Sequence, residues 1–228
     1  MQQQDPLRRY RKFKLARSVA VHIQTIEAEN ARLLKSQDPG TRALAACAAL
    51  IIALGIRPGG RSRRAVGAIS LRGKHISTKG EGANRMTIAF EGKDGIPFYR
   101  KFHARPALIS VLSALAETSG PSRLLFEGLT LRVLRHHLTT LNPDLTPRLI
   151  RTIRANQVYE TSFARAQQKG ASTKDATLAA ETETARFLNH VRNGRLAVAT
   201  SRKHYIDPLL AAKTHIRPRS AISYLRSL

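Results

Sequence analysis

Late in the chain a tyrosine, Tyr205, follows Arg202, Lys203 and His204 and precedes Ile206, Asp207 and Pro208. A phenol among basic side chains sits in a strongly positive field, which favours a phosphate as its neighbour and suggests nucleophilic attack on a phosphodiester. A basic tripeptide beside a tyrosine equally suits a solvated surface. Other residue types that phosphoryl chemistry needs recur upstream. Arg57 follows the most apolar segment, Lys93 lies in the turn Gly92-Lys93-Asp94-Gly95, and Arg148, Arg151 and Arg154 recur at spacings of three. His190 stands in Phe187-Leu188-Asn189-His190-Val191. Each has a plainer reading: Arg57 can cap a helix C-terminus electrostatically, Lys93 can be a polar turn residue, the arginine face can be solvated, and His190 can be structural.

These residues need a scaffold, and the composition supplies one. At 228 residues, with 42% apolar content, the chain can bury a real core as one domain, with small appendages at most. Its 39 Lys+Arg against 15 Asp+Glu leave a formal charge of +24. The basic residues are spread among periodic apolar segments from Arg8 to Arg226 instead of being gathered in tails, so the charge is mounted on a fold and a polyanion, nucleic acid, is the expected partner. The single cysteine, Cys47, excludes an intramolecular disulfide and a cysteine-based zinc cluster. The apolar run 43–56 is too short to span a bilayer, and Met1-Gln2-Gln3-Gln4-Asp5 is no signal-peptide core, so an intracellular, DNA-associated protein is expected, in a nucleus or in a prokaryotic or viral setting.

In chain order, residues 7–35 read as one basic amphipathic helix, and 41–54 as a central buried helix ended by Gly55. The composition then turns strand-like over 65–71, 85–91 and 96–102, the last two joined by the turn carrying Lys93. Helices are predicted over 106–118, 130–141 and 145–166, the last opened by Thr146-Pro147. A loop over 167–175, a helix over 176–192, a turn at Asn193-Gly194 and a short final helix over 219–228 complete the reading. The fold class is α+β, mainly helical, with a small three-stranded antiparallel sheet.

The motifs together resemble the catalytic core of eukaryotic-type DNA topoisomerase IB, within the superfamily that includes the tyrosine recombinases. The run 53–60 with 67–76 is similar to that family's first active-site segment, 89–96 to its lysine hairpin, 145–152 to its second arginine motif, 185–191 to its Asn-His segment and 200–208 to its nucleophile segment. The match is collinear over roughly residues 10–220. The resemblance implies a single catalytic domain in which Tyr205 attacks a DNA phosphodiester, leaving a 3′-phosphotyrosyl link and a free 5′-hydroxyl. Arg57, Arg151 and His190 would bind the non-bridging oxygens and Lys93 would protonate the departing 5′ oxygen. Arginine's fixed fork suits a charged phosphorane, whereas a lysine ammonium buried beside other cations can release its proton. Arg61, Arg63, Arg64, Arg72 and Lys74 near the first segment, and Arg148, Arg154, Arg202 and Lys203 near the later ones, are the expected DNA contacts. Neither metal nor nucleotide cofactor is implied, because the phosphotyrosine conserves the bond energy for resealing.

The sequence departs from the family pattern in three respects. About 50 residues precede Arg57 where the family carries a large clamp, 14 residues separate His190 from Tyr205 where it carries a long linker, and Pro58-Gly59-Gly60 stands where it usually has an asparagine. A partner chain supplying the clamp is therefore a candidate, and weak, distributive, salt-sensitive activity is expected, with affinity falling on the order of a thousandfold between low and physiological salt. The rival readings are a tyrosine recombinase or telomere resolvase, and a catalytically silent DNA-binding relative.

Overall fold

A computed structural model describes residues 6–59, 65–77 and 84–214. In chain order the helices are α1 Pro6–Ala20, α2 Ile23–Leu33, α3 Pro39–Leu54, α4 Pro106–Ser119, α5 Leu131–Leu141, α6 Pro147–Gln168, α7 Thr173–Phe187, α8 Val198–His204 and α9 Pro208–Thr214. The strands are β1 Ile76–Ser77, β2 Arg85–Glu91, β3 Pro97–His103, β4 Val191–Arg192 and β5 Arg195–Leu196. This is the expected mainly helical α+β class. The described residues gather into two compact units: those up to Val21 with those of 148–214, and those within His22–Pro147. No helix among the described residues is long and apolar enough to cross a membrane.

The unit His22–Pro147 is built on α3. Asp38 opens it, its carboxylate accepting from the Thr41 N–H and hydroxyl at 2.6 Å each, and Pro39 occupies the first turn, where no N–H is needed. From Ala45 to Leu54 nearly every side chain is buried, and Gly55 at φ 59° ends the helix in the left-handed conformation glycine adopts without strain. Burial pushes the Cys47 thiol well up, so this cysteine is an apolar core residue. The buried Asn30 of α2 ties three helices together: its Nδ2 donates to the Ala45 carbonyl of α3 at 2.9 Å, and its Oδ1 lies 3.1 Å from His137 Nε2 of α5. The sheet has strand order β1-β2-β3, all antiparallel, with Met86, Ile88 and Phe98 buried and Phe90 stacked on Phe98.

The other unit packs α6 against α7 through Tyr159, Phe163, Ala176 and Ala180, with Ile206 in the same cluster. The side chain next to Tyr205 is thus anchored in a core.

Three boundaries differ from the sequence reading. The 7–35 helix is broken at Val21–His22. Buried positions 13, 16, 19, 23, 26 and 30 keep one helical rhythm through the break, so periodicity could not reveal it. The cause is tertiary: α1 and α2 bury their faces in different units. Residues 65–71 are not a strand; 68–70 form a single 3-10 turn, the Ala68 and Ile69 amides bonding the loop after α3 and the Ser70 amide the Gly67 carbonyl, and the first strand of the sheet is Ile76–Ser77. The predicted 176–192 helix runs Thr173–Phe187, and Asn189 at φ 51° takes His190 out of it into a two-stranded hairpin whose turn, Asn193-Gly194, has φ of 51° and 72°. That pair suits a type I′ hairpin turn. The final helix expected at 219–228 lies outside the described residues, whereas α8 and α9 are additional to the sequence reading.

Candidate active site

Three of the five candidate catalytic residues belong to the unit containing α6. Arg151 projects from the first turns of α6; it is 4% exposed, and its guanidinium donates to the Leu188 carbonyl at 3.3 Å. His190 follows α7 and is 5% exposed. Its Nδ1 lies 2.8 Å from the buried Ser201 Oγ, which fixes the rotation of the ring. Tyr205 closes α8, its N–H donating to the Ser201 carbonyl at 2.8 Å, and its ring is half-buried. The His190 and Tyr205 rings are 5.1 Å apart, tilted by 58°, and the Arg151 guanidinium carbon is 5.4 Å from the centre of the Tyr205 ring. Phenol, imidazole and guanidinium therefore converge. The 14 residues between His190 and Tyr205 form only the β4-β5 hairpin and α8, so a short connection suffices to bring them together.

Helix α1 lies along the Tyr205 segment. Arg9 donates to the Arg202 carbonyl at 3.5 Å, Lys12 Nζ donates to the His204 carbonyl, and Arg17 pairs with the Asp207 carboxylate. Sequence reasoning missed Lys12. Its Nζ lies 5.8 Å from the centre of the Tyr205 ring, and its pKa is lowered to about 8 by burial and, after that, by the charges of Arg148 and Arg9, with Asp207 acting in the opposite sense. Within Arg8-Arg9-Tyr10-Arg11-Lys12-Phe13-Lys14 nothing distinguishes this lysine, since any of five cations has the same local pattern. The folded protein releases the Lys12 proton near pH 8 while the unfolded chain holds it to about 10.5, so between those values the unfolded chain binds more protons and Lys12's contribution to stability rises with pH. The expected result is a melting-temperature difference between wild type and Lys12→Met that moves in favour of the wild type from pH 8 upward. A difference independent of pH would contradict the shift.

The expected DNA contacts of this unit divide. Arg148 and Lys203 are exposed, as contacts with phosphate require. Arg154 is half-buried and donates to Gln157 Oε1 at 2.9 Å. Arg202 forks onto both oxygens of the buried Glu181, and this bond raises its own pKa. Its geometry is that of an ion pair holding α8 to α7.

In the unit His22–Pro147, Arg57 is exposed and does not cap α3; Gly55 does so, its N–H bonding the Ile51 carbonyl at 3.0 Å. The Arg57 carbonyl accepts from the Ala68 N–H at 2.9 Å and the Pro58 carbonyl from the Ile69 N–H at 3.0 Å, so the loop is clamped by the 67–70 turn. Lys93 stands on the β2-β3 turn, 62% exposed, its Nζ 3.6 Å from the Asp94 carboxylate. Asp94 and Gly95, at φ of 63° and 72°, make the tight reversal. Arg72 donates to the Ser122 carbonyl, and Lys74 is exposed. Arg61, Arg63 and Arg64 lie outside the described residues. Among the described residues no group of three or more His, Cys, Asp or Glu is placed to hold a metal ion.

The family described as eukaryotic DNA topoisomerase I, catalytic core, matches residues 3–220. The chain belongs to that family. Among curated relatives, DNA topoisomerase 1 of Candidozyma auris is 29% identical over 80% of this chain and 25% of its own length. The mitochondrial DNA topoisomerase I of Pan troglodytes is 28% identical over 82% of this chain and 31% of its own, and DNA topoisomerase 1 of Mus musculus is 28% identical over 87% and 26%. The chain thus spans about a quarter to a third of the length of these relatives. The match to the topoisomerase I catalytic core takes in every motif on which the resemblance rests, from Arg57 to Tyr205. It begins before α1, so the helix carrying Lys12 is part of the matched core.

Proposed function

We propose that this chain is a type IB DNA topoisomerase, cutting one strand of duplex DNA through a 3′-phosphotyrosyl intermediate and resealing it without ATP. The observation that carries the reading is the convergence of Tyr205, His190 and Arg151, within a chain that belongs to the topoisomerase I catalytic-core family. The phenol oxygen of Tyr205 attacks the phosphorus, the P–O5′ bond breaks, and the proton lost by the phenol is matched by the one the 5′ oxygen gains. Arg151 and His190 stabilise the charge that gathers on the non-bridging oxygens, where preorganised donors act most strongly. Arg57 is the second guanidinium and Lys93 the proton donor. Because Lys93 is exposed in the protein alone, the desolvation its role needs comes from bound DNA. Arg148, Arg154, Lys203, Arg72 and Lys74, with Arg61, Arg63 and Arg64, contact the duplex; Arg202 serves it indirectly by holding α8.

The partner is double-stranded DNA and the place of action wherever that DNA is, nuclear, organellar or nucleoid. The fold acts as one catalytic domain, and a further chain or segment completing a grip on the duplex is compatible with this reading. A recombinase or telomere resolvase would need a specific site and an oligomer, and the named relatives are topoisomerases.

The test is relaxation of negatively supercoiled plasmid at low salt with neither ATP nor Mg²⁺, followed by denaturant trapping. Relaxation with protein linked to 3′ ends is the expected outcome, with affinity for duplex falling on the order of a thousandfold from about 50 to 200 mM salt if 6 to 10 phosphates are neutralised. Linkage to 5′ ends, or relaxation that requires Mg²⁺, would overturn the reading.

A further inference from the structure

The side chain of Asn156 touches the nucleophile segment at two points and its own helix at a third. Its Nδ2 donates to the Tyr205 carbonyl at 3.1 Å and to the Thr152 carbonyl at 2.7 Å, while its Oδ1 accepts from the Asp207 N–H at 2.8 Å. This orientation of the amide is the only one that works, since a flip would set an oxygen against two carbonyls and an NH₂ against an N–H. We propose that Asn156 is a positioning residue for the strand-cleavage reaction: it grips the main chain on both sides of Ile206 and so presets the direction in which the Tyr205 phenol points.

Helix formation asks for no asparagine here. Position 156 is mid-helix in α6, where asparagine is among the weaker formers and tends to compete with the backbone for hydrogen bonds. Its amide instead spans the gap to a segment about 50 residues later in the chain. The helix that carries Asn156 also carries Arg151, whose guanidinium carbon is 5.4 Å from the Tyr205 ring. One rigid helix therefore holds the nucleophile's main chain with one residue and meets its ring with another, and the distance from cation to phenol does not depend on loop motion. Other constraints on this segment act at other atoms: the Ser201 carbonyl on the Tyr205 and Ile206 N–H groups, Lys12 on the His204 carbonyl, the Ile206 side chain in the core, and Arg17 and the Leu209 N–H on the Asp207 carboxylate. Asn156 alone among the described residues holds the Tyr205 carbonyl and the Asp207 amide together.

The inference rests on the strand-cleavage reading, and the test separates the two. Wild type, Asn156→Asp and Asn156→Ala are compared in single-turnover cleavage and religation of a duplex oligonucleotide, with enzyme in excess over DNA. Asn156→Asp keeps the shape and the acceptor but replaces the donating NH₂ with an oxygen that faces two carbonyls. The expected result is cleavage slowed about 100-fold by misplacement of the attacking atom, with the dissociation constant for DNA within about twofold of wild type. Religation, starting from a tyrosine already held by its bond to DNA, slows less, so the equilibrium fraction of covalent complex falls. A merely structural loss would lower the active fraction of enzyme, and with enzyme in excess that leaves the cleavage equilibrium unmoved. Variants that cleave within about twofold of a cleaving wild type, or that slow both steps equally, overturn the inference and leave the reading intact. A wild type that forms no covalent complex overturns both. Should Asn156→Asp not fold, Asn156→Ala carries the same comparison without an added charge.

Discussion

Tyr205→Phe is expected to bind duplex DNA as the wild type does, within about twofold, while forming no covalent complex and relaxing no plasmid, a loss on the order of 10⁴-fold or more in rate. The substitution removes one oxygen and little else. The aromatic ring that meets His190 at 5.1 Å and the Arg151 guanidinium at 5.4 Å is retained, as are the main-chain bonds to Ser201 and Asn156 and the burial of Ile206. Positive charge over the ring face is, if anything, as well accommodated by phenylalanine as by tyrosine. A drop in activity with unchanged affinity and melting temperature then has one cause, the missing nucleophile. Filter-binding of radiolabelled duplex after denaturation, beside a plasmid relaxation series, would measure it. Covalent complex persisting in Tyr205→Phe would mean that another group attacks the phosphate.

The second large effect is expected far from Tyr205 in sequence, at a residue that bears no functional group. On the proposed reading, Gly67→Ala is expected to slow strand cleavage through Arg57. A Cβ at position 67 would stand 2.4 Å from the Cα and N of Gly59 and 2.7 Å from the Arg57 carbonyl oxygen, all of them backbone atoms that no rotamer change can move. The backbone of Gly67, at φ −144° and ψ −174°, is extended and open to any residue, so the glycine answers to packing and not to conformation. Accommodating the methyl group requires the 57–59 loop and the 67–70 turn to part, which breaks the Ala68-to-Arg57 and Ile69-to-Pro58 bonds. Overpacking of this kind typically destabilises by about 1–3 kcal/mol and more where backbone meets backbone. A displacement of Arg57 by about 1 Å would cost on the order of 100-fold in cleavage rate. Thermal melting and single-turnover cleavage, measured together, test both parts. A Gly67→Ala protein with wild-type stability and cleavage would show that the loop has slack the packing does not suggest.

Sequence alone carried most of the elements and the candidates for the chemistry. Asp38, Pro39 and Gly55 bracket α3 by capping rules that act within a few residues, and the Lys93 turn is legible because Asp94 and Gly95 take left-handed backbone that few residue types tolerate. Tyr205, His190 and Arg151 could be singled out because their types and order match a known pattern. What local rules could not supply were effects that depend on a distant partner. The helical rhythm of residues 13 to 30 runs unbroken across a helix break between two compact units. Residues 65–71 have strand-like composition, yet the Ala68 and Ile69 amides are taken by the Arg57 loop and those of Ser70 and Leu71 by the turn itself, so no ladder forms there. Arg202 looks like a phosphate contact until Glu181, 21 residues earlier, is found beneath it. Lys12 and Asn156 are anonymous in sequence because each is defined by a bond to the Tyr205 segment, 192 and 49 residues away. Residue types decide which chemistry is possible, since charge, nucleophilicity and backbone freedom belong to the side chain itself. Which of many similar cations and amides takes part is decided only by tertiary packing, because burial and hydrogen-bond partners are properties of a place in the fold.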